Sequence, residues 1–205
     1  MPPTRGLEDV LTSRAAAAAA SLLVAVSLAG CGGASHSISA KDLSRLVLTR
    51  RQVGRPFASF DTGPQTQLDN QGTPRANPTR DGREGGWIAR YHRSGSTSTK
   101  GPLVVESRVD VFKSPGGATK DLAAYGQMFD ASPGASRRQL TPNVGDSALG
   151  VTFLQPGPQP LRFYRIAWRY RNATASVTAE GFAGKLDLGQ ALALARKQQR
   201  LLART

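Results

Sequence analysis

The sequence predicts an α+β domain in which an antiparallel sheet of about five strands carries two helices on one face. Segments from Trp87 onward alternate apolar and polar residues, as half-buried strands do. Two other segments, after Ser114 and after Asp187, instead repeat apolar residues at helical spacing. The resulting order of strands, helix, strands and helix is typical of a sheet with its helices packed on one side.

The first 30 residues are predicted to be a signal peptide. Arg5 and Arg14 lie ahead of an uncharged run from Ala15 to Gly30, which consists mainly of alanine, leucine and valine. The run is shorter than the roughly 20 apolar residues that a membrane-spanning helix needs, and it fits the apolar core of a signal peptide.

The uncharged run ends in the sequence Leu28-Ala29-Gly30-Cys31. This tetrad resembles the lipobox of bacterial lipoproteins. The resemblance implies cleavage between Gly30 and Cys31, a diacylglycerol thioether on Cys31 and acylation of the new amino terminus. Paired acyl chains anchor a protein stably to a membrane. We therefore expect a lipid-anchored protein on the extracytoplasmic face of the cell membrane. An ordinary secretory signal peptide with a coincidental cysteine is the alternative.

Cys31 is the only cysteine, so no disulfide can form within the chain. Residues 31–40 are small and polar and are predicted to be a flexible tether. A single domain follows over residues 41–205 and starts with a short helix from about Lys41. Residues 62–86 hold almost no apolar side chain, so we expect a mobile loop there.

Two strands are predicted between Trp87 and Phe112. The apolar face of the first consists of Trp87, Ala89 and Tyr91. The second alternates valines with charged residues: Val105, Val109 and Val111 on one face, Glu106, Arg108 and Asp110 on the other. Each strand is therefore expected to have one buried side and one side that faces solvent.

The second half of the chain is predicted to form a helix, a strand, a hairpin and a final helix. Ser114 followed by Pro115 is typical of a helix start. A strand over residues 146–154 and a hairpin that turns at Arg171-Asn172 follow. The final helix is predicted from Asp187 to Ala203. This layout loosely resembles small lipoproteins and sensor-type extracellular domains of actinobacteria, but no functional residue can be transferred on layout alone.

The sequence offers little catalytic chemistry. Gly145-Asp146-Ser147 is similar to the nucleophile block of one lipase and esterase family, but hydrolysis there needs a histidine downstream to accept the serine proton. The two histidines, His36 and His92, both precede Ser147. Residues 114–120 lack the glycine-lysine-serine or -threonine ending of a phosphate loop. We therefore predict that the protein is not an enzyme.

No cofactor or metal site is predicted either, because two separated histidines and a lipidated cysteine do not form a zinc site. Glu106 and Asp110 would lie about 13 Å apart along one strand, which is too far for the usual glycosidase pair. Charge pairing with nearby arginines is the expected role of these two carboxylates.

Charge provides the functional candidates that remain. The formal net charge is +13, and residues 87–205 hold 17 basic and 7 acidic side chains. Outside the membrane, such a surface would attract anionic lipid or cell-wall polymer rather than nucleic acid. Two groups of cations are candidate anion-binding residues: Arg165, Arg169 and Arg171 on one strand face, and Arg196, Lys197, Arg200 and Arg204 on the final helix. The alternative is that the first group belongs to a solvated strand face balanced by Glu106 and Asp110, and the second to a surface helix whose terminal cations favour the helix dipole.

The leading hypothesis is a non-catalytic lipoprotein that binds or senses an anionic partner in the envelope. The alternative is a small-molecule-binding domain with a pocket between sheet and helices, lined by Trp87, Tyr91, Tyr164 and Trp168. An enzyme of unrecognised type is the third possibility. The oligomeric state is left open.

Overall fold

The computed structural model of this chain describes residues 37–65, 74–75, 78–141 and 144–205. Their helices and strands follow one another in a regular order: a 3₁₀ helix Ala40–Arg45, α1 Arg50–Val53, β1 Ala58–Pro64, a 3₁₀ helix Pro78–Asp81, β2 Arg83–His92, β3 Val104–Phe112, α2 Pro115–Ala131, β4 Ser136–Arg138, β5 Ser147–Gln155, β6 Leu161–Tyr170, β7 Ala173–Phe182 and α3 Leu188–Leu202. The signal peptide, the lipobox and most of the predicted tether lie outside the described residues.

The strands form one antiparallel sheet with the order β1-β2-β3-β7-β6-β5-β4. The five predicted strands correspond to β2, β3, β5, β6 and β7. The described residues add β1 and β4, so the sheet has seven strands there rather than about five. Neither extra strand shows a strong alternation of apolar and polar residues in the sequence. Both are edge strands, in which all but one residue of β1 and all three residues of β4 are exposed.

The two long helices pack on opposite faces of the sheet, which corrects the prediction that they share one face. Along β7, Thr174 and Ser176 hydrogen-bond to α2, whereas the alternate residues Ala173 and Val177 belong to the core shared with α3. Since successive strand residues point to opposite faces, α2 and α3 lie on different sides. The polar face of β3 and β7, predicted to face solvent, is therefore covered by α2.

Each long helix begins where a capping side chain predicts it. Ser114 Oγ accepts from the Gly117 amide at 3.3 Å, with proline in the first turn of α2. At the start of α3, Asp187 Oδ1 accepts a hydrogen bond from the backbone amide of Gln190 at 2.9 Å, and Gln190 Oε1 accepts one from the backbone amide of Asp187 at 3.0 Å. This reciprocal pair is a capping box, which satisfies two amides that the helix leaves unpaired.

The core on the α3 side is the larger of two. It is formed by β2, β3, β6 and β7, by α3 and by the N-terminal segment, in which Leu46, Val47 and Leu48 are buried. On the α2 side, Leu122, Tyr125 and Phe129 pack on Val151 and Ala167.

The fold starts earlier than the predicted boundary at Lys41. Ile38 is only 2% exposed, its amide donates to Asn172 Oδ1 at 2.7 Å, and its carbonyl accepts from Asn172 Nδ2 at 3.1 Å. Asn172 also donates to the Phe112 carbonyl at 2.7 Å. This one side chain in the β6–β7 turn therefore joins the N-terminal segment to the sheet.

The described residues of the predicted loop 62–86 also differ from the expectation. Residues 62–64 end β1, residues 78–81 form a 3₁₀ turn and residues 83–86 begin β2. Arg75 is 1% exposed and lies against α2. The described residues of this segment are held by ion pairs and strand pairing, which need few apolar side chains. Residues 66–73 and 76–77 of the predicted loop lie outside the described residues.

Candidate functional site

A cationic groove lies between α1 and the C-terminal half of α3. Its volume is about 310 Å³, and it is open to solvent along one side. The residues that line it are Arg51, Gln52, Lys197, Arg200, Leu201 and Arg204. We call this site the cationic groove.

The sequence of α3 places its share of the groove on one side of the helix. Lys197, Arg200 and Arg204 are three and four residues apart, so they follow one another along the same face. The neighbouring residues Gln198 and Leu202 point the other way and are buried. Cations in the last turns of a helix are also favoured by its negative C-terminal end.

The guanidinium groups of the groove are available to a ligand. Within the described residues, the side chains of Arg51, Arg200 and Arg204 make no hydrogen bond or ion pair, and all three residues are exposed. Lys197 is half-buried, and its Nζ donates to the Gln52 carbonyl at 2.9 Å, which holds α1 against α3. Three free guanidinium groups around one ammonium suit a phosphate or carboxylate, which accepts paired hydrogen bonds from arginine.

The structure assembles only part of the predicted helical group. Lys197, Arg200 and Arg204 line the groove, but Arg196 points elsewhere and donates to the Thr141 carbonyl at 3.4 Å. Arg51 was missing from the prediction. It lies far from α3 in sequence, and only the run Arg50-Arg51 beside a predicted turn could have suggested a contribution to a cationic site.

The predicted arginine row on β6 does not form a common site with the groove. Arg165 and Arg169 project from the sheet face opposite to Trp168, and Trp168 faces α3. Arg169 pairs with Asp146 at 3.2 Å, and Arg165 stacks over the Phe153 ring at 5.2 Å. Arg171 lies in the turn at φ 53° and stacks over Tyr170 at 5.0 Å. Each arginine of the row has its own intramolecular contact.

A second charged feature, absent from the prediction, is buried between α2 and the sheet. We call it the buried charge cluster; it consists of Arg75, Arg83, Arg108, Asp110 and Asp121. Arg75 donates to Asp121 at 2.8 Å and to Asp110 at 3.0 Å, and Arg83 pairs with Asp110 at 2.7 Å. The absence of a side chain at Gly86 leaves room for the Arg83–Asp110 pair, because a Cβ there would overlap both groups.

The cluster favours the charged forms of Asp110 and Arg75. Burial alone would raise the pKa of the Asp110 carboxyl, but Arg108, Arg75 and Arg83 hold it below its ordinary value. Burial likewise disfavours the charged form of Arg75, yet the Tyr125 phenol and the carboxylates of Asp121 and Asp110 raise its pKa. Arg75 also lies 3.8 Å from the centroid of the Tyr125 ring. The charged groups of the cluster pair with one another, so we interpret the cluster as stabilising the fold and not as a binding site.

The aromatic residues of the alternative hypothesis are largely core residues. Trp168 is fully buried and its Nε1 donates to Gln199 Oε1 at 2.7 Å. Tyr91 is 5% exposed and its hydroxyl donates to the Leu48 carbonyl at 2.7 Å. Trp87 and Tyr164 are half-buried and pack against the same core. Trp168 and Tyr91 are therefore core residues whose polar atoms are already hydrogen-bonded within the protein.

The residues considered for catalysis are placed apart. Ser147 is exposed at the start of β5, and His92 is exposed at the end of β2 with its ring 5.5 Å from that of Phe60. His36 lies outside the described residues. Glu106 accepts from Arg90 at 2.7 Å, as expected of a charge partner. Across the described ranges, no three histidine, aspartate or glutamate side chains are grouped as metal ligands.

Cys31 and Gly30, the predicted lipidation and cleavage residues, also lie outside the described part of the chain. Among the helices that the structure does describe, none combines the length and the apolar content needed to cross a bilayer.

The fold is similar to that of a solved structure. Neither protein-family models nor curated proteins match the chain. The extracellular domain of PknH from Mycobacterium tuberculosis is similar at a TM-score of 0.62 and 15% sequence identity. The similarity covers 83% of this chain and 99% of that domain. At this identity, the likeness shows a shared fold.

Proposed function

We propose that this protein is a lipid-anchored extracytoplasmic module that binds or senses an anionic partner in the cell envelope without catalysing a reaction. The cationic groove is the observation that carries the proposal. It gathers four cations from α1, from α3 and from the turn that follows α3, and the side chains of Arg51, Arg200 and Arg204 have no hydrogen-bond or ion-pair partner among the described residues.

Two further observations support the location. The tetrad Leu28-Ala29-Gly30-Cys31 resembles a lipobox, and the fold is shared with a domain described as extracellular. The absence of recognised catalytic motifs supports a binding role, because Ser147 has no histidine downstream to act as its base.

The ligand chemistry follows from the groove. Arginine forks match the oxygens of phosphates and carboxylates, and exposed cations attract a polyanion through the sum of their charges. A soluble polymer of glycerol phosphate is therefore a suitable probe, with dextran as its uncharged counterpart.

The test uses the mature protein held in neutral phosphatidylcholine nanodiscs and titrated with each polymer at low and high salt. We expect binding to poly(glycerol phosphate) that weakens with salt, and none to dextran. A variant with Arg51→Gln, Arg200→Gln and Arg204→Gln should lose that binding. Equal, salt-insensitive binding of the two polymers would refute the proposal.

A matched control neutralises three exposed cations elsewhere: Arg138→Gln, Lys100→Gln and Lys185→Gln. This control variant has the same net charge as the groove variant. If both lose affinity equally, the net charge and not the groove is responsible, and the groove assignment is wrong.

A further inference from the structure

The arginines that α3 and the residues after it contribute to the groove lie toward one end of the sheet, whereas Lys197 and Gln52 meet nearer its middle, where Gln198 Nε2 donates to the Arg108 carbonyl at 2.9 Å. α3 runs in the direction opposite to β7. It begins after Phe182, the last residue of β7, and near its other end Gln199 Oε1 accepts a hydrogen bond from Trp168 Nε1 at 2.7 Å. Trp168 lies four residues before the turn residue Asn172, which corresponds to about 13 Å along the strand. Arg200 and Arg204 follow Gln199, so the C-terminal end of α3 lies at the sheet end that carries Asn172.

The N-terminal segment enters the fold at this same end. Asn172 holds both the amide and the carbonyl of Ile38, and its amide group also meets the Phe112 carbonyl at the end of β3. We call the end marked by Ile38, Phe112 and Asn172 the anchor end. The opposite end carries the connection between β2 and β3, residues 93–103.

Chain length limits how far the anchor end can lie from Cys31. Seven residue steps separate Cys31 from Ile38, and a fully extended chain of that length spans at most about 25 Å. The sheet is about 30 Å long, since β6 has ten residues. A lipid on Cys31 therefore keeps the anchor end, and with it the Arg200 and Arg204 part of the groove, close to the membrane, whereas the opposite end can lie much farther away.

We propose that the partner of the cationic groove is the anionic lipid headgroup surface of the membrane that holds Cys31. This deepens the proposed function and rests on it, since it requires both the lipid anchor and an anion-binding groove. The lipid keeps the protein at the membrane, and the groove sets its orientation by docking the anchor end onto phosphate groups.

The charges match such a surface. A bilayer with anionic lipids attracts a nearby Lys or Arg by an amount that corresponds to about a fivefold change in the docking equilibrium per cation. The three exposed arginines of the groove would therefore favour the docked orientation by about a hundredfold. Because surface charges are screened beyond about 10 Å at 0.1 M salt, docking should weaken as salt rises.

The experiment measures energy transfer from a fluorophore on the mature protein to acceptor-labelled lipids. Cys31 is occupied by lipid in the mature protein, so one introduced cysteine can be labelled selectively. Ala203→Cys places the donor beside the groove, and Ser98→Cys places it at the opposite end; both positions are exposed.

In vesicles with phosphatidylglycerol, we expect strong transfer from position 203 and weak transfer from position 98. In vesicles of phosphatidylcholine alone, the difference should shrink. The groove variant should shrink it in phosphatidylglycerol vesicles too, with the docking equilibrium reduced by about a hundredfold, while the control variant with Arg138→Gln, Lys100→Gln and Lys185→Gln should keep it. Equal transfer differences in all four cases would overturn the inference.

The two proposals fail in distinguishable ways. Groove-dependent binding of poly(glycerol phosphate) without groove-dependent orientation would leave the proposed function standing and refute the headgroup assignment. Loss of both would refute the anion-binding groove itself.

Discussion

Arg75 and Asp121 form an ion pair between α2 and a segment 46 residues earlier in the chain, with 2.8 Å between Arg75 Nε and Asp121 Oδ1 and almost no solvent exposure of either side chain. Removing one member of a buried pair leaves an unpaired charge, which typically costs about 3–5 kcal/mol. We expect Arg75→Met to lower the free energy of unfolding by about that amount in urea denaturation.

A double variant tests whether the loss arises from the unpaired charge. Replacing Asp121 with leucine in the Arg75→Met background removes the carboxylate that has lost its partner. The double variant should therefore lose less stability than the sum of the losses of the two single variants. Strict additivity of the two substitutions would show that Arg75 and Asp121 are not energetically coupled.

Asp110 makes stability depend on pH. Its pKa is depressed in the fold, because the effect of Arg108, Arg75 and Arg83 exceeds that of burial. A depressed carboxyl pKa stabilises the fold above the unfolded pKa of about 3.9, and this contribution is lost as the pH falls through the lower folded value. The free energy of unfolding should therefore decrease as the pH is lowered below about 4. In Asp110→Asn, the dependence of this free energy on pH should be shallower.

Asp130 provides the comparison for that measurement. A hydrogen bond from Arg137 lowers the pKa of Asp130, but this carboxylate is exposed, so solvent screens the interaction. Asp130→Asn should change the acid slope less than Asp110→Asn does. The reverse order would show that the buried charge cluster is not the main source of acid sensitivity.

The sequence was informative where a signal is local. The caps Ser114 and Asp187 mark the starts of α2 and α3, and alternation in residues 163–182 predicts the β6–β7 hairpin, since each signal involves neighbours a few residues apart. Long-range contacts were not predictable in this way. Thr174 on β7 donates a hydrogen bond to Asp121 on α2, although the two residues are 53 positions apart in the chain. A face of β7 that was predicted to be exposed to solvent is therefore covered by α2.

The candidate site shows the same limit. Helical spacing places Lys197, Arg200 and Arg204 on one face of α3, but only the fold brings Arg51 to them and turns Arg196 away. Arg75 was expected in a mobile loop, because its neighbours are polar. A buried ion pair needs no apolar neighbours in sequence, and composition alone could not reveal it.

Asn172 should be essential for seating the N-terminal segment. Its amide group bonds to Ile38 twice and to Phe112 once, all in buried surroundings. Leaving a buried group without its partner costs about 1–3 kcal/mol. Asn172→Ala should therefore lower stability by at least about 2 kcal/mol and speed hydrogen exchange at the Ile38 amide. Unchanged exchange at that amide would contradict the proposed role.

The groove arginines should matter little for stability. Arg51, Arg200 and Arg204 are exposed, and their side chains make no hydrogen bond or ion pair within the described residues that neutralisation would break. We expect the triple glutamine variant to unfold within about 0.5 kcal/mol of wild type per substitution. A much larger loss in thermal denaturation would mean that these arginines support the fold, which would undermine their assignment to a ligand.

Both functional proposals place the domain outside the membrane and anchor it through Cys31, so mass spectrometry of the mature N-terminal peptide is the most direct test. We predict a protein that begins at Cys31 and carries a diacylglycerol on its sulfur. Cys31→Ser should lack the lipid and escape lipoprotein processing, because a serine hydroxyl is a far poorer nucleophile than a thiolate. A mature protein that begins at another residue, or that has a free thiol at Cys31, would contradict the account.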